Sequence, residues 1–151
     1  MHPKNANSPL RLQAFVRLLT LAYIVIYLIS SHHHAASTDS LGLPNHFDKL
    51  IHFGVYLVMS CLLMGSCELR HPATLRQSKV GFSGIIKASL IVIWISFIDE
   101  FSQPWFGRHF DWIDLAFDWA GVGLGILVYQ SACLTWHLFF SSTWTANNSV
   151  D

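Results

Sequence analysis

The chain has 151 residues, of which 52% are apolar and 12% charged, with a formal net charge of zero. Soluble domains carry roughly 25% charged residues, so this composition excludes a surface made mainly for water. The balance of nine basic and nine acidic residues excludes an electrostatic nucleic-acid partner. Mean hydropathy is +0.41, and the length is that of a single domain, 1–151.

The first apolar run covers 12–31, preceded by Lys4 and Arg11 and containing Arg17. A basic start before an apolar middle also describes a signal peptide. Here, though, His34 stands three residues before the only plausible cut, after Ala36, where a small residue is needed. We therefore expect this run to be retained as a membrane span. The following His32-His33-His34 has no further ligand beside it in sequence, and a solvated loop is the expected setting. The remaining apolar runs are 50–66, 82–98 and 115–134. Each of the four approaches the ~20 residues that cross ~30 Å of hydrocarbon. Short polar connections between them predict an all-α membrane protein, a compact antiparallel bundle of four transmembrane helices. Cys61, Cys67 and Cys133 lie in or beside apolar runs without metal spacing and are expected to be packed and reduced.

Basic residues set the expected orientation. Lys4, Arg11, Arg17, Arg70, Arg76, Lys79 and Lys87 belong to one side, and only Lys49 and Arg108 to the other. By the positive-inside rule both termini are cytoplasmic. The connections that carry Lys49 and Arg108 then face outward.

Ionisable residues inside a span are costly, by roughly 2.5–3.5 kcal/mol at its centre, and here they gather at one membrane face in three groups. Asp48, His52 and Tyr56 recur every four residues where the second run begins, so they share one helical face. Asp99, Glu100 and Gln103 end the third run, where adjacent carboxylates oppose the helix dipole and each other. Pro104 stops that helix, Trp105, Phe106 and Trp112 suit the headgroup layer, and Arg108 is the expected partner of Glu100. Asp111, Asp114, Asp118, Gly121 and Gly125 are spaced three, four, three and four, which keeps them on one stripe of the fourth helix. Gly121 and Gly125 are expected to allow close helix packing. Asp118, deepest in its apolar run, is expected to face the bundle.

The candidate polar site is thus Asp48, His52, Asp99, Glu100, Gln103, Arg108, Asp111, Asp114 and Asp118. Six carboxylates against one Arg, one Lys and one His leave surplus negative charge. A divalent cation, shared protons or a cationic ligand would balance it. No cofactor motif is evident.

Asp48-Lys49-x-x-His52-Phe53-x-x-Tyr56, then Glu100-x-x-Gln103, Gly107-Arg108-x-x-Asp111-Trp112-x-Asp114 and Asp118-x-x-Gly121-x-x-x-Gly125, resembles the VanZ-like membrane proteins over about 48–128. Two features depart from that pattern: the turn between Gln103 and Arg108, and Asp118 where many members have Asn. The resemblance implies a bacterial inner-membrane protein working in the cell envelope, with a link to low-level resistance to the glycopeptide antibiotic teicoplanin. The expected partners are the lipid bilayer and an envelope lipid, a cell-wall precursor or a glycopeptide. Binding of an envelope component or cation at the polar cluster is the leading reading. The alternatives are acid–base catalysis by His52 and carboxylates on a lipid-linked or cell-wall substrate, and a structural role as a membrane partner. The sequence offers no exposed Ser or Cys nucleophile beside a base and no familiar hydrolase motif, which ranks catalysis below binding.

The charge partition predicts the outcome of cysteine mapping. In a chain free of its own cysteines, a cysteine at Ser78 should resist an impermeant thiol reagent added outside intact cells and react after permeabilisation. Labelling from outside would invert the topology.

Overall fold

The computed structural model describes residues 8–32, 45–68 and 82–147. It is all helical: α1 (Ser8–Ser31), α2 (Asn45–Glu68), α3 (Phe82–Ser102), one turn of 3-10 helix (Gln103–Phe106) and α4 (Trp112–Asn147). Each apolar run of the sequence lies within one helix, and every helix except the first outlasts its run at the polar-cluster end. Three helices hold a stretch long and apolar enough to cross a membrane: Arg11–Ser31, Phe47–Cys67 and Trp112–Trp136. The apolar length of α3 is interrupted by Lys87 near its start and by Asp99 and Glu100 at its end. Arg70, Arg76 and Lys79, on which the orientation argument leans, lie outside the described residues, as do Lys4, His33 and His34.

The helices bury polar groups and expose apolar ones, the reverse of a soluble bundle. Leu18, Leu21, Ile26 and Ile29 of α1, Trp94 and Ile98 of α3, and Leu127 and Trp136 of α4 are all exposed. Contiguous apolar surface on this scale marks contact with a nonaqueous phase. The apolar core is small: Tyr56, Met59, Val92 and Val122 are buried together, with Tyr23, Tyr27, Leu63 and Ile126 against them.

Helix α2 packs against all three other helices, and most closely against α4. The reason is the glycine pair on α4. A Cβ on Gly121 would collide with the Phe53 carbonyl, and one on Gly125 would lie 2.6 Å from the Leu57 carbonyl and 2.9 Å from Ser60 Cβ. Only hydrogen at these two positions lets the backbones meet, as small residues do in membrane helix pairs. Gly123, between them in sequence, has nothing near its absent Cβ. Along this contact residue numbers rise together, from Lys49 with Asp114, through His52 with Asp118, to Cys61 with Gly125. Between α1 and α2 they run oppositely: Thr20 meets Ser66, while Tyr23 meets Val55. The α3–α4 contacts also run oppositely, Ser96 with Trp119 and Glu100 with Asp111.

Cys61, Cys67 and Cys133 are each partly buried. The break after α3 follows the Pro104 expectation with one refinement. The chain makes a single 3-10 turn with Pro104 in its first half and closes on Gly107, whose φ of 77° is left-handed. Glycine carries no Cβ penalty there. The Gly107 N–H donates to the Pro104 carbonyl and the Arg108 N–H to that of Gln103, so the turn aims Arg108 back at the bundle.

Gly125→Val is expected to lower stability by about 1–3 kcal/mol or more, because the added atoms meet backbone that cannot repack. Gly123→Ala should be close to neutral. Unfolding in a bilayer-like detergent mixture would measure both, and equal effects would remove the assigned contact.

Candidate functional site

Helix geometry splits the adjacent carboxylates of α3 into two environments. Successive helical residues point about 100° apart, so Asp99 turns toward α1 and α2 while Glu100 turns toward α4. Both are fully buried, at 0% exposure. Asp99 Oδ2 accepts from the Tyr27 hydroxyl at 2.9 Å and from that of Tyr56 at 3.4 Å, and Oδ1 accepts from the Ser31 hydroxyl at 2.6 Å. The Tyr27 and Tyr56 rings meet edge to face, with centroids 5.4 Å apart. Glu100 Oε1 accepts from Gln103 Nε2 at 2.7 Å, and Oε2 from the Asp111 N–H at 3.3 Å.

Asp118 faces the bundle, as its stripe predicts, and is 0% exposed. His52 Nδ1 donates to its Oδ1 at 2.9 Å and stands 3.7 Å from Glu100 Oε1. The imidazole therefore sits between two carboxylates from different helices. Among the described residues, Asp118 Oδ2 is the buried side-chain oxygen with no hydrogen-bond partner. Buried polar atoms nearly always find one.

Above this buried floor lies a more accessible rim. Lys49 Nζ donates to Asp114 Oδ1 at 2.8 Å and to Asp111 Oδ2 at 3.1 Å. Asp111 caps α4, since its Oδ1 accepts the Ile113 N–H at 2.7 Å, an N-cap of the kind worth about 1 kcal/mol. That N–H first, and the Lys49 ammonium after it, hold the Asp111 carboxyl below the usual carboxylate range.

Arg108 corrects the expectation of a Glu100 partner. Its Nη2 lies 3.6 Å from Asp48 Oδ2, and Nη1 donates at 2.7 Å to the carbonyl of Ser31, the last residue of α1. Glu100 is already satisfied by Gln103 and Asp111. The short turn through Gly107 directs the guanidinium to the α1–α2 side instead. His52 and Glu100 do come together, as anticipated, while Arg108 joins the rim.

His32 is a second correction. It occupies the end of α1 rather than a solvated loop. Its Nδ1 is 2.6 Å from the Leu28 carbonyl, its Nε2 is 2.7 Å from the Ser102 hydroxyl, and the Phe106 ring packs edge-on to it. Two serines thus stand beside this imidazole: Ser31, its neighbour in sequence, 3.1 Å from Nδ1, and Ser102 of α3, which no sequence spacing announces. Tyr27 and Ser31 were also missed. A signal existed: Gln13, Thr20, Tyr23, Tyr27 and Ser31 recur at helical spacing on α1, and each is buried or half-buried.

Of the nine candidate residues, all belong to one end of the helix assembly, linked by hydrogen bonds or ion pairs across α2, α3, the 3-10 turn and α4. Two groups within it bring metal-ligating atoms within 4.8 Å of one another: His52 with Glu100 and Asp118, and Asp48 with His52 and Asp114. Chemically, the floor can share a proton between imidazole and carboxylate or hold a cation, and the rim presents fixed charges to a ligand.

A helical membrane protein with a buried polar floor at one end of its bundle is the class defined by these features. The family model described as VanZ/LLP1 matches residues 2–137, and the chain belongs to that family. No curated protein and no solved structure matches it.

Removing the Asp118 carboxylate tests the floor. Asp118→Leu leaves the His52 imidazole buried without its acceptor, and breaking such a pair costs about 3–5 kcal/mol. Asp118→Asn keeps shape and an acceptor oxygen and should assemble near wild-type yield. Chromatographic homogeneity and unfolding in detergent distinguish the two, and a Leu variant that behaves as wild type would remove Asp118 from the interior.

Proposed function

We propose that the chain crosses the bacterial inner membrane four times as an antiparallel bundle, with both termini cytoplasmic. In this reading the outward-facing polar cluster binds a component of the cell envelope. Support for the crossings comes from three helices of sufficient apolar length and from the contact directions between neighbouring helices. Support for the orientation comes from the partition of basic residues.

The observation that carries the binding reading is the gradation of the cluster. The Asp111 side chain at the rim is 40% exposed, those of Asp48 and Lys49 are each 22% exposed, and those of Glu100 and Asp118 beneath are 0% exposed. A ligand headgroup arriving from outside meets paired, partly hydrated charges first and a dry carboxylate floor below. A few convergent polar groups, graded from partly exposed to buried, are a usual feature of a ligand site. The ligand class is an envelope lipid, a cell-wall precursor or a glycopeptide, and the family resemblance connects it with low-level teicoplanin resistance.

Expression in a teicoplanin-susceptible bacterial host tests this reading. The wild-type chain should raise the inhibitory concentration, and Glu100→Gln and Arg108→Lys should abolish the rise at unchanged membrane yield. No rise with the wild type would remove the teicoplanin link. A full rise with both variants would remove the cluster as the site. Loss of folded yield in both variants would favour a structural role for the cluster.

A further inference from the structure

The buried floor carries more negative charge than its own cations balance. Asp99, Glu100 and Asp118 are all 0% exposed. Of the described basic side chains at this end, Lys49 pairs with Asp111 and Asp114, Arg108 with Asp48, and His32 Nδ1 stands 3.7 Å from Asp99 Oδ1. The His52 imidazole remains between Glu100 and Asp118. Asp99 is satisfied by three hydroxyls, but Asp118 Oδ2 has no partner although it has no contact with solvent. Leaving such an atom unmatched is expensive in a low-dielectric interior.

We propose that His52, Glu100 and Asp118 hold a divalent transition-metal ion of the Zn2+ type. The inference rests on the reading of the polar cluster as a binding site and names what its floor binds.

The distances suit such an ion. Bonds of about 2.0–2.2 Å in a tetrahedral site place neighbouring ligand atoms roughly 3.3–3.6 Å apart. His52 Nδ1 lies 3.7 Å from Glu100 Oε1 and 2.9 Å from Asp118 Oδ1, and one atom from each residue falls within 4.8 Å of the others. A small widening of the His52–Asp118 contact admits the ion, which takes the place of the proton on Nδ1. The chemistry of the donor set separates this ion from Mg2+ and Ca2+, which favour all-oxygen ligands, because an imidazole is central here. The surroundings also resemble the outer partners that orient metal ligands. Gln103 Nε2 holds Glu100 Oε1, and Asp48 and Asp114 flank the same imidazole. Three protein ligands leave a fourth position for water or for an anionic oxygen of the envelope ligand.

The test uses the full chain purified in detergent and stripped with a chelator. Thermal unfolding is followed against added Zn2+, with Mg2+ as the comparison. To keep the histidine run from binding Zn2+ adventitiously, the series is repeated in His33→Ala/His34→Ala. An ion that binds only the folded form raises Tm progressively with its concentration, and both chains should show this with Zn2+ and not with Mg2+. Loss of groups that merely orient a ligand costs roughly 10- to 100-fold in metal affinity. Asp118→Asn and Glu100→Gln should lose at least as much. No shift in the wild type, or a shift unchanged in Asp118→Asn or lost in the double alanine chain, would overturn the proposal. If the site variants fail to fold, zinc X-ray absorption on the wild type decides: one imidazole with oxygen ligands supports the site, and two or more imidazoles overturn it. The teicoplanin readout is independent, so a Zn2+ shift without a resistance phenotype would remove the teicoplanin link and leave the metal site standing.

Discussion

The approach of α4 to α2 is the constraint on which the rest of the molecule depends. Gly121 and Gly125 let one helix lie against the other's backbone, and that distance brings Asp118 within hydrogen-bond reach of His52. In a nonaqueous solvent there is no hydrophobic force to pull helices together. Close backbone packing has to provide the association, and one added methyl at these glycines would move the helices apart. Hydrogen bonds between membrane helices average only about 0.6 kcal/mol. The polar network therefore orients an arrangement that packing makes stable.

The pattern on α1 follows from the same solvent. Thr20 bonds to Ser66, Tyr23 to the Val55 carbonyl, and Tyr27 and Ser31 to Asp99. These hydroxyls lie on the helix's inner face, and Leu12, Leu18, Leu19, Leu21, Ile26 and Ile29 on the outer one. Each Tyr supplies an apolar ring for packing and a donor for a buried acceptor, a combination suited to an interior short of water.

How far the site could be read from sequence depended on whether its partners lie on one helix. The spacing from Asp111 to Gly125 sits within a single helix, so periodicity alone gave the right face and the right burial for Asp118. Arg108 follows a turn whose left-handed Gly107 decides the direction of the side chain, and residue spacing does not encode that direction. His32 illustrates another gap: it is held just past the end of α1 by Ser102 and Phe106, seventy or more residues later. The hydroxyl stripe on α1 was present in the sequence but lay in a run whose apolar content masked it. Helix lengths were underestimated for a related reason. Hydropathy marks where lipid contact ends, while Asp48, Asp99 and Glu100 continue their helices into the polar layer.

The way Asp99 is satisfied bears on the order in which the protein can be assembled during synthesis. Its three hydroxyl donors come from Tyr27, Ser31 and Tyr56, all on helices made before α3. In the proposed four-span arrangement, α3, whose apolar length is interrupted, would reach the insertion machinery when partners for its carboxylate are already there. A ribosome working from the amino terminus thus delivers donors first and acceptor second. Moving Asp99 to an earlier helix, with its tyrosines later, would strand a naked carboxylate against lipid for the time it takes to make two more helices.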